Sequence, residues 1–437
     1  MTTLQPVRGT QSLLGEDADR MATVVAAFDR VRRLFGFKRV EVPILEPTDV
    51  FARSIGETTD IVSKEMYSFL DRGGDSITLR PEFTAGIARA YLSEGWQQHA
   101  PLKVATHGPA FRYERPQKGR FRQFHQLDAE IIGAGEAAAD IEILCFADQL
   151  LKELGIDGAA LQLNTLGDPA TRAAWRDALE THFLGHVEVL SDDSRDRLTR
   201  NPLRILDSKA HQDWPVVDSA PAIDAFLTPE AADFFAQVTA GLDSAGVAWE
   251  RAPRLVRGLD YYRHTAFEFV TDRLGSQGTV LAGGRYDGLV EALGGPHTPA
   301  VGWAAGIERL AMMIDAPARE HTVLAVVADS ADAEELSIEI AGMIREAGLS
   351  ASLFNYGRVR KRFDRASSTG ATAILALSRS QNAPDDHFLI RWRPTDLMST
   401  YDLKTQIEAI LGQKFSFHNP SELIVGWGEI TRLPEAK

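Results

Sequence analysis

Two strand-like runs, Val104–Tyr113 and Gln123–Ile132, flank a basic loop, Arg115-Pro-Gln-Lys-Gly-Arg120, and this arrangement limits the fold more than any other feature of the chain. The loop makes an antiparallel hairpin, and it is longer than a two-residue turn; long loops tend to carry function. Side chains alternate along a strand, so Phe124, Gln126, Asp128 and Glu130 share one face of the returning run. A face bearing a glutamine and two acids cannot be a dry core, because each group needs a partner. Two readings remain open. The face is either solvated or the floor of a polar pocket, with Arg112 and Glu114 on the outgoing strand and Lys118 and Arg120 as a cationic lip.

The rest of the chain divides by pattern. Apolar residues at Met21, Val24, Val25, Phe28, Val31 and Phe35 predict a helix over 16–35, stopped by Gly36. Phe37–Val42 alternates like a strand, 77–80 reads as another, and Pro81 is expected to open a helix reaching about Trp96. Residues 168 to about 250 are mostly helical in pattern, and strand signals return at 265–271 and 279–282. Gly283–Gly288 reads as a tight turn into a helix, and Gly302–Arg309 runs from a strand end into one. The strands from 37 to 133 and from 265 to 303 are expected to share one antiparallel sheet. After a linker at Asp315–His321, strands and helices alternate from Val323 to Leu377, as in a small α/β domain with mainly parallel pairing. The stretch 413–437 shows no clear period.

With 437 residues, of which 44% are hydrophobic and 25% charged, the chain fits two to three globular domains. A single cysteine, Cys145, excludes an internal disulfide framework and any multi-thiolate zinc site; its apolar neighbours predict a buried small side chain. The N-terminus has no signal-peptide pattern and no window approaches ~18 uninterrupted apolar residues, so the expectation is a cytoplasmic protein with no membrane span. A net charge of −14 argues mildly against nucleic acid, but local patches decide binding. Two basic clusters stand out, one around Arg112–Arg122 and one comprising Arg358, Arg360, Lys361, Arg362 and Arg365. Each is either a solvated face or a phosphate-binding surface.

Three further arrays carry chemistry. Arg257-Gly-Leu-Asp-Tyr-Tyr262 sets a cation beside two phenols and a carboxylate, which suits an anion-handling pocket or ordinary surface packing. Arg80-Pro-Glu82-Phe-Thr84 stands at a helix start, where capping is the plainer account of Glu82 and Thr84. In Gly306-Ile-Glu-Arg309 the arginine projects from a first helical turn and could clamp a phosphate or form a surface ion pair. There is no Walker-type loop.

These pieces, in this order, resemble the histidyl-tRNA synthetases among the class II aminoacyl-tRNA synthetases. The likeness rests on Arg8–Thr10, Val42–Leu45, Gly56–Val62, Lys64–Tyr67, Leu79–Glu82, Phe111–Arg120, Arg122–Gln126, Asn201–Asp207, Arg257–Tyr262, Gly283–Gly288 and Gly306–Leu310. It implies an α+β fold: a class II antiparallel sheet flanked by helices, with a helical insertion and a C-terminal α/β anticodon-binding domain. The expected boundaries are 1–167 and 253–315 for the catalytic core, 168–252 for the insertion, 322–412 for the anticodon-binding domain and 413–437 for a tail.

The implied reaction joins L-histidine to ATP, releases pyrophosphate, and passes histidine to the 3′ end of tRNA-His. By match to the family, Arg112 and Arg257 are the catalytic residues. Glu82, Thr84 and Gln126 are expected at the α-ammonium, Glu130 and Tyr262 at the imidazole, and Tyr261 and Tyr286 on the wall, with Arg112 and Arg257 also touching the amino acid. Arg112, Glu114, Arg120, Phe124 and Arg309 are expected on ATP, and Lys118, Arg358, Arg360, Lys361 and Arg362 on tRNA. No protein-held metal is expected; Mg2+ is expected on the ATP phosphates, and a homodimer is implied by the segment around Pro43. The alternative is a non-catalytic regulatory paralogue of ATP phosphoribosyltransferase. Phe83 stands where the family usually has glycine, and its bulk could narrow the pocket or repack its rim.

Overall fold

The computed structural model describes residues 3–56, 59, 61–117, 119–256, 262–275, 278–315, 324–379, 387–394, 400–418 and 427–432, and internal contacts divide the chain into two units, Met1–Pro317 and Ala318–Lys437. Strands of the first unit are β1 (Lys38–Arg39), β2 (Leu45–Pro47), β3 (Tyr67–Leu70), β4 (Ser76–Leu79), β5 (Leu102–Phe111), β6 (Gln123–Ile132), β7 (Ala160–Thr165), β8 (Trp249–Arg251), β9 (Arg263–Val270), β10 (Thr279–Arg285) and β11 (Ala300–Gly306). They form an eight-stranded sheet in the order β1-β5-β6-β11-β10-β9-β7-β8 and a separate three-stranded sheet, β2-β4-β3. The expected hairpin is β5–β6, paired from Leu102↔Ile132 to Phe111↔Gln123, so Arg112 and Glu114 fall just beyond the strand that was expected to carry them. β11 pairs on the other side of β6, which makes β6 a central strand. Two pairings in the large sheet, β1–β5 and β7–β8, are parallel.

Alternation on β6 decides which face is dry. Leu127, Ala129 and Ile131 join Val301 and Trp303 of β11 and Phe267 and Phe269 of β9 in an apolar layer against the helices Glu16–Leu34 and Ala137–Glu153. The first helix buries Val24, Phe28 and Val31 at helical spacing, and Phe28 stacks on Phe146 of the second at 5.8 Å. Cys145 packs half-buried at the edge of this layer. The opposite face of β6 holds the polar residues and is roofed by the segment leading into the helix Thr84–Ser93. That helix begins three residues later than expected. Glu82 accepts from the Thr84 and Ala85 amides at 2.7 and 2.8 Å, satisfying donors that would otherwise be orphaned at the helix start.

Three local expectations need correction. The strand placed at 37–42 is only Lys38–Arg39. Gly283 and Gly284 lie inside β10 instead of in a turn, because they face β9 and β11 backbones at close quarters. Strands 45–47 and 76–79 leave the large sheet for the small one.

The small sheet has unusual polarity. Register puts Leu45, Leu79 and Tyr67 in one row and Pro47, Ile77 and Phe69 in the next, on one face. Leu45 and Phe69 on that face are 49% and 48% exposed. The opposite face turns inward with Glu46 and Thr78 at 3% and 0% exposure; Arg89 grips Glu46 with two nitrogens, and Thr48 and Ser68 join Thr78.

From Pro169 to Ala245 the regular structure is all helical, in elements separated by short non-helical stretches. Asp168 caps the helix Pro169–Leu184 through the Thr171 amide and also accepts from Thr228, the cap of the helix Pro229–Ala245. Asp213, fully buried, accepts from the Ser191 amide and from the hydroxyls of Ser191, Ser194 and Ser208 at 2.5–2.7 Å. This one carboxylate ties together three turns of the segment.

The second unit contains β12 (Leu324–Ala328), β13 (Ala351–Phe354), β14 (Ala373–Arg379), β15 (His387–Pro394), β16 (Phe415–His418) and β17 (Trp427–Arg432), ordered β13-β12-β14-β15-β17-β16. Every residue of β12 is buried, as expected for a strand covered on both faces. The three strands expected between Val323 and Leu377 pair in parallel, β12–β13 and β12–β14, while the strands after them pair antiparallel, so the whole sheet is mixed. The stretch set apart as a tail supplies β16 and β17, with β17 inserted between β15 and β16.

Candidate active site

The polar face of β6 is the floor of a cavity of about 270 Å3. Glu82, Thr84, Arg112, Glu114, Arg120, Phe124, Gln126, Glu130, Tyr262, Tyr286 and Arg309, drawn from separate parts of the first unit, all line it. Arg257, Tyr261 and Lys118 lie outside the described residues.

The deep end is made of acids and phenols in a cleared space. Glu130 is 1% exposed and accepts from the Tyr286 hydroxyl at 2.5 Å. Its partner across the strand is Gly302, where a Cβ would fall 1.5 Å from Glu130 Oε2. Only a residue without a side chain leaves room for that carboxylate. Gly284 plays the same part for Tyr262: a Cβ there would come within 2.8 Å of the ring. Burial pushes the Glu130 carboxyl up to about 8 against the hydrogen bonds from Tyr286 and Thr84, and the nearby Glu82 adds to the rise. Glu82 is itself raised by burial, partly offset by the Thr84 and Ala85 bonds and the Arg112 charge. Glu82 is therefore a helix cap that also lines the cavity.

Tyr286 is held from behind. Arg285, 1% exposed, pairs with the fully buried Asp140, reaches Asp287 and donates to the Ala134 carbonyl at 2.9 Å. Asp287 in turn accepts from the Ala300 amide at 3.1 Å. The pair clamps the turn after β10 to the start of β11, so Tyr286 has little freedom.

At the other end cations gather. Arg112 donates to the Pro81 carbonyl at 2.9 Å and lies over the Phe124 ring at 5.2 Å. Arg120 pairs with Glu114 at 3.1 Å. Arg309 donates to the Thr279 carbonyl at 2.7 Å; burial, then the Arg120 and Arg112 charges, pull its guanidinium pKa below the ordinary value, with Glu114 and Glu268 opposing. Three guanidiniums near one carboxylate form a site for a polyanion. Chemically, the cavity takes a ligand with hydrogen-bond donors at its deep end and several negative charges at its mouth.

Sequence reasoning passed over Glu308. It lines the cavity and accepts from the His125 amide at 3.0 Å and from His125 Nδ1 at 2.9 Å, pinning the helix Ile307–Ala311 to β6. Its signal was present, an acid beside the arginine in Gly306–Arg309, but its target is set by a long-range pairing. Phe83 neither lines the cavity nor forms its rim. It is fully buried, under the Arg80 guanidinium at 4.0 Å and against Gly108. In the second unit Arg358, Arg360 and Lys361 are exposed. Arg362 is not: it is 4% exposed, bonded to Glu334 at 2.6 Å and to the Ala328 carbonyl at 3.2 Å, and serves the fold of its own unit.

Comparison with known proteins agrees with this geometry. The profile of a family described as Histidyl-tRNA synthetase matches residues 9–310. A histidine–tRNA ligase of Novosphingobium aromaticivorans is 62% identical over 416 residues, 94% of this chain and 98% of that protein. One from Gluconacetobacter diazotrophicus is 55% identical over 384 residues, 88% of this chain and 92% of that protein. The crystal structure of apo S. aureus histidyl-tRNA synthetase superposes with a TM-score of 0.74 at 30% identity, covering 93% of this chain and 100% of the other.

Proposed function

The chain belongs to the histidyl-tRNA synthetase family, and from that premise we propose how its residues divide the work. It is a histidine–tRNA ligase by kinship at 62% identity along almost the whole of a relative, which also sets the regulatory reading aside. The reaction begins when a histidine carboxylate oxygen attacks the α-phosphorus of ATP, the bond to the β-phosphate breaks and pyrophosphate leaves. The terminal ribose hydroxyl of the tRNA then attacks the activated carbonyl and AMP leaves.

Two anions must meet in the first step, so the protein's task is positioning and charge neutralisation. In this reading Arg112 serves the α-phosphate from the floor side, where its contact with Pro81 and Phe124 fixes it. Arg309 takes the γ-phosphate, and Phe124, Glu114 and Arg120 hold the adenine and phosphates. By match to the family, Arg257 is assigned to the α-phosphate and the histidine carboxylate, and Tyr261 to the amino acid. Mg2+ arrives on the β- and γ-phosphates. Glu130 and Tyr262 read the two imidazole nitrogens, and Glu82, Thr84 and Gln126 receive the ammonium. A pocket of buried polar groups rejects ligands that leave those groups unpaired by large factors.

Exposed Arg358, Arg360 and Lys361 supply a cationic surface for tRNA phosphates, and Lys118 is assigned to tRNA by match to the family. The outward apolar face of the small sheet supports a homodimer. We place the reaction in the cytoplasm; among the described residues no helix is long and apolar enough to cross a membrane.

The observation that carries the reading is the union, in one cavity, of Glu130, Tyr262 and Tyr286 with Arg112, Arg120 and Arg309. Amino-acid-dependent ATP–pyrophosphate exchange across the twenty amino acids, followed by charging of total tRNA, tests it. Exchange with histidine alone, then charging, is expected. Exchange with another amino acid, or none from folded protein, overturns it.

A further inference from the structure

Asp128 has no role in the scheme above, yet it lies on the same face of β6 as Gln126 and Glu130. It is wholly buried, and no donor among the described residues reaches either of its carboxylate oxygens. Across the sheet it faces Thr106 on β5 and Ala304 on β11. The Thr106 hydroxyl and the Gln126 side-chain oxygen are buried as well and have no partner among the described residues. A bare carboxylate in such a place carries a heavy desolvation cost, whereas a neutral carboxyl needs only one acceptor. The nearest acceptor along the strand is Glu130. Residues two apart on a strand project from the same face at about 6.7 Å between Cα atoms, and an aspartate and a glutamate side chain can close that gap.

We propose that Asp128 is a positioning residue for Glu130: it keeps a proton and donates it as a hydrogen bond, so that Glu130 alone ionises to receive the ligand. The charged groups around Asp128 agree. Burial, with Glu130 and Glu82, drives its carboxyl well above the ordinary range, and the Arg80 charge opposes the rise. Arg80 is committed elsewhere, to the Pro109 and Val42 carbonyls at 2.8 Å each. Glu130 differs from Asp128 in having the Tyr286 hydroxyl as a donor and an open cavity before it, so an arriving imidazole N–H lowers its hold on a proton first. Four donors then surround the Glu130 carboxylate: Tyr286, Thr84, Asp128 and the ligand. Asp128 never touches the ligand; it sets the orientation and charge of the group that does.

The inference rests on the histidine-activating reading, and its test separates the two. Histidine-dependent exchange is measured for the wild type, Asp128→Asn and Asp128→Ala, with KM for histidine and for ATP taken on each. Asn keeps an N–H donor in the same place, so D128N is expected within about threefold of wild type in histidine KM. D128A removes the donor and is expected to raise histidine KM about tenfold, with ATP KM unchanged. In the histidine-bound wild type, 13C-aspartate NMR is expected to show one carboxyl neutral at neutral pH, missing in D128N. That spectrum decides the matter if D128A does not fold: no neutral aspartate in the wild type overturns the inference. Equal losses in D128N and D128A overturn it, because the charge itself would then matter. So does a D128A enzyme with normal histidine KM, or one in which both KM values rise together. Absence of histidine-dependent exchange in the wild type would instead remove the reading beneath it.

Discussion

Gly302 determines the pocket as much as any side chain that touches the ligand. A methyl group at this position would overlap Glu130 Oε2, and the strand cannot yield because β11 is paired on both sides. Gly302→Ala therefore has to displace the Glu130 carboxylate. A shift of about 1 Å at such a group costs on the order of a hundredfold in kcat/KM for histidine. The expected pattern is that loss with an ATP KM near normal, because the arginines are remote from the clash; steady-state exchange kinetics check it. An unchanged kcat/KM for histidine would show that the floor is softer than its packing implies. Glu130 itself was legible in the sequence, since alternation along 123–132 put it on a polar face. Gly302 was not, because its meaning depends on which residue of another strand lies opposite. Arg362 shows the converse: charge patterning grouped it with its neighbours, and only burial against Glu334 tells it apart.

At the scale of elements, local patterns foretold local structure. The helix Glu16–Leu34, the β5–β6 hairpin and the alternation beyond the linker all lie where periodicity put them, within a few residues. Pairing order did not follow from pattern. The strands at 415–418 and 427–432 carry no strong period; they pair with each other, and β15 at 387–391 ties β17 to the sheet, so 413–437 read as a tail. The helical segment Pro169–Ala245 has a buried organiser that the sequence also hid, since a single aspartate among many drew no notice. Burial pushes the Asp213 carboxyl up, but the hydroxyls of Ser194 and Ser208 and the amide and hydroxyl of Ser191 outweigh it and hold the carboxyl below its ordinary value. A depressed folded-state pKa means the stabilisation is present above the unfolded carboxylate range. It is lost as pH falls through the folded value. Asp213→Ala takes the acceptor from three hydroxyls, that of Ser194 buried and those of Ser191 and Ser208 partly so, and is expected to cost about 3 kcal/mol in denaturant unfolding at neutral pH. The gap between variant and wild type should close on acidification. A gap that stays constant down to acid pH would show that the carboxylate charge contributes nothing.

Across the whole molecule, the small sheet β2-β4-β3 leaves Leu45 and Phe69 of its apolar face half exposed and buries Glu46 and Thr78 on the other. A chain that folded for solitude would do the reverse. The homodimer proposed above would account for both faces, with Glu46 and Thr78 satisfied internally and Leu45 and Phe69 covered by the second copy at the seam. Phe69→Glu would set a carboxylate in that seam at a cost of about 3 kcal/mol, roughly a hundredfold in dissociation constant. Sedimentation velocity should then show monomer at concentrations where the wild type is dimeric. A dimer that survives both Phe69→Glu and Leu45→Glu places the seam elsewhere. The order of the large sheet has a further consequence, for synthesis on the ribosome. β6 leaves the tunnel long before β11, yet β11 is its lasting neighbour and brings Gly302 to Glu130. Throughout that interval the growing chain carries an open strand edge beside a half-built floor, and such edges invite wrong partners. Premature termination between the two strands would leave Glu130 without the strand that carries Gly302, so the floor of the pocket is completed only once β11 has been made.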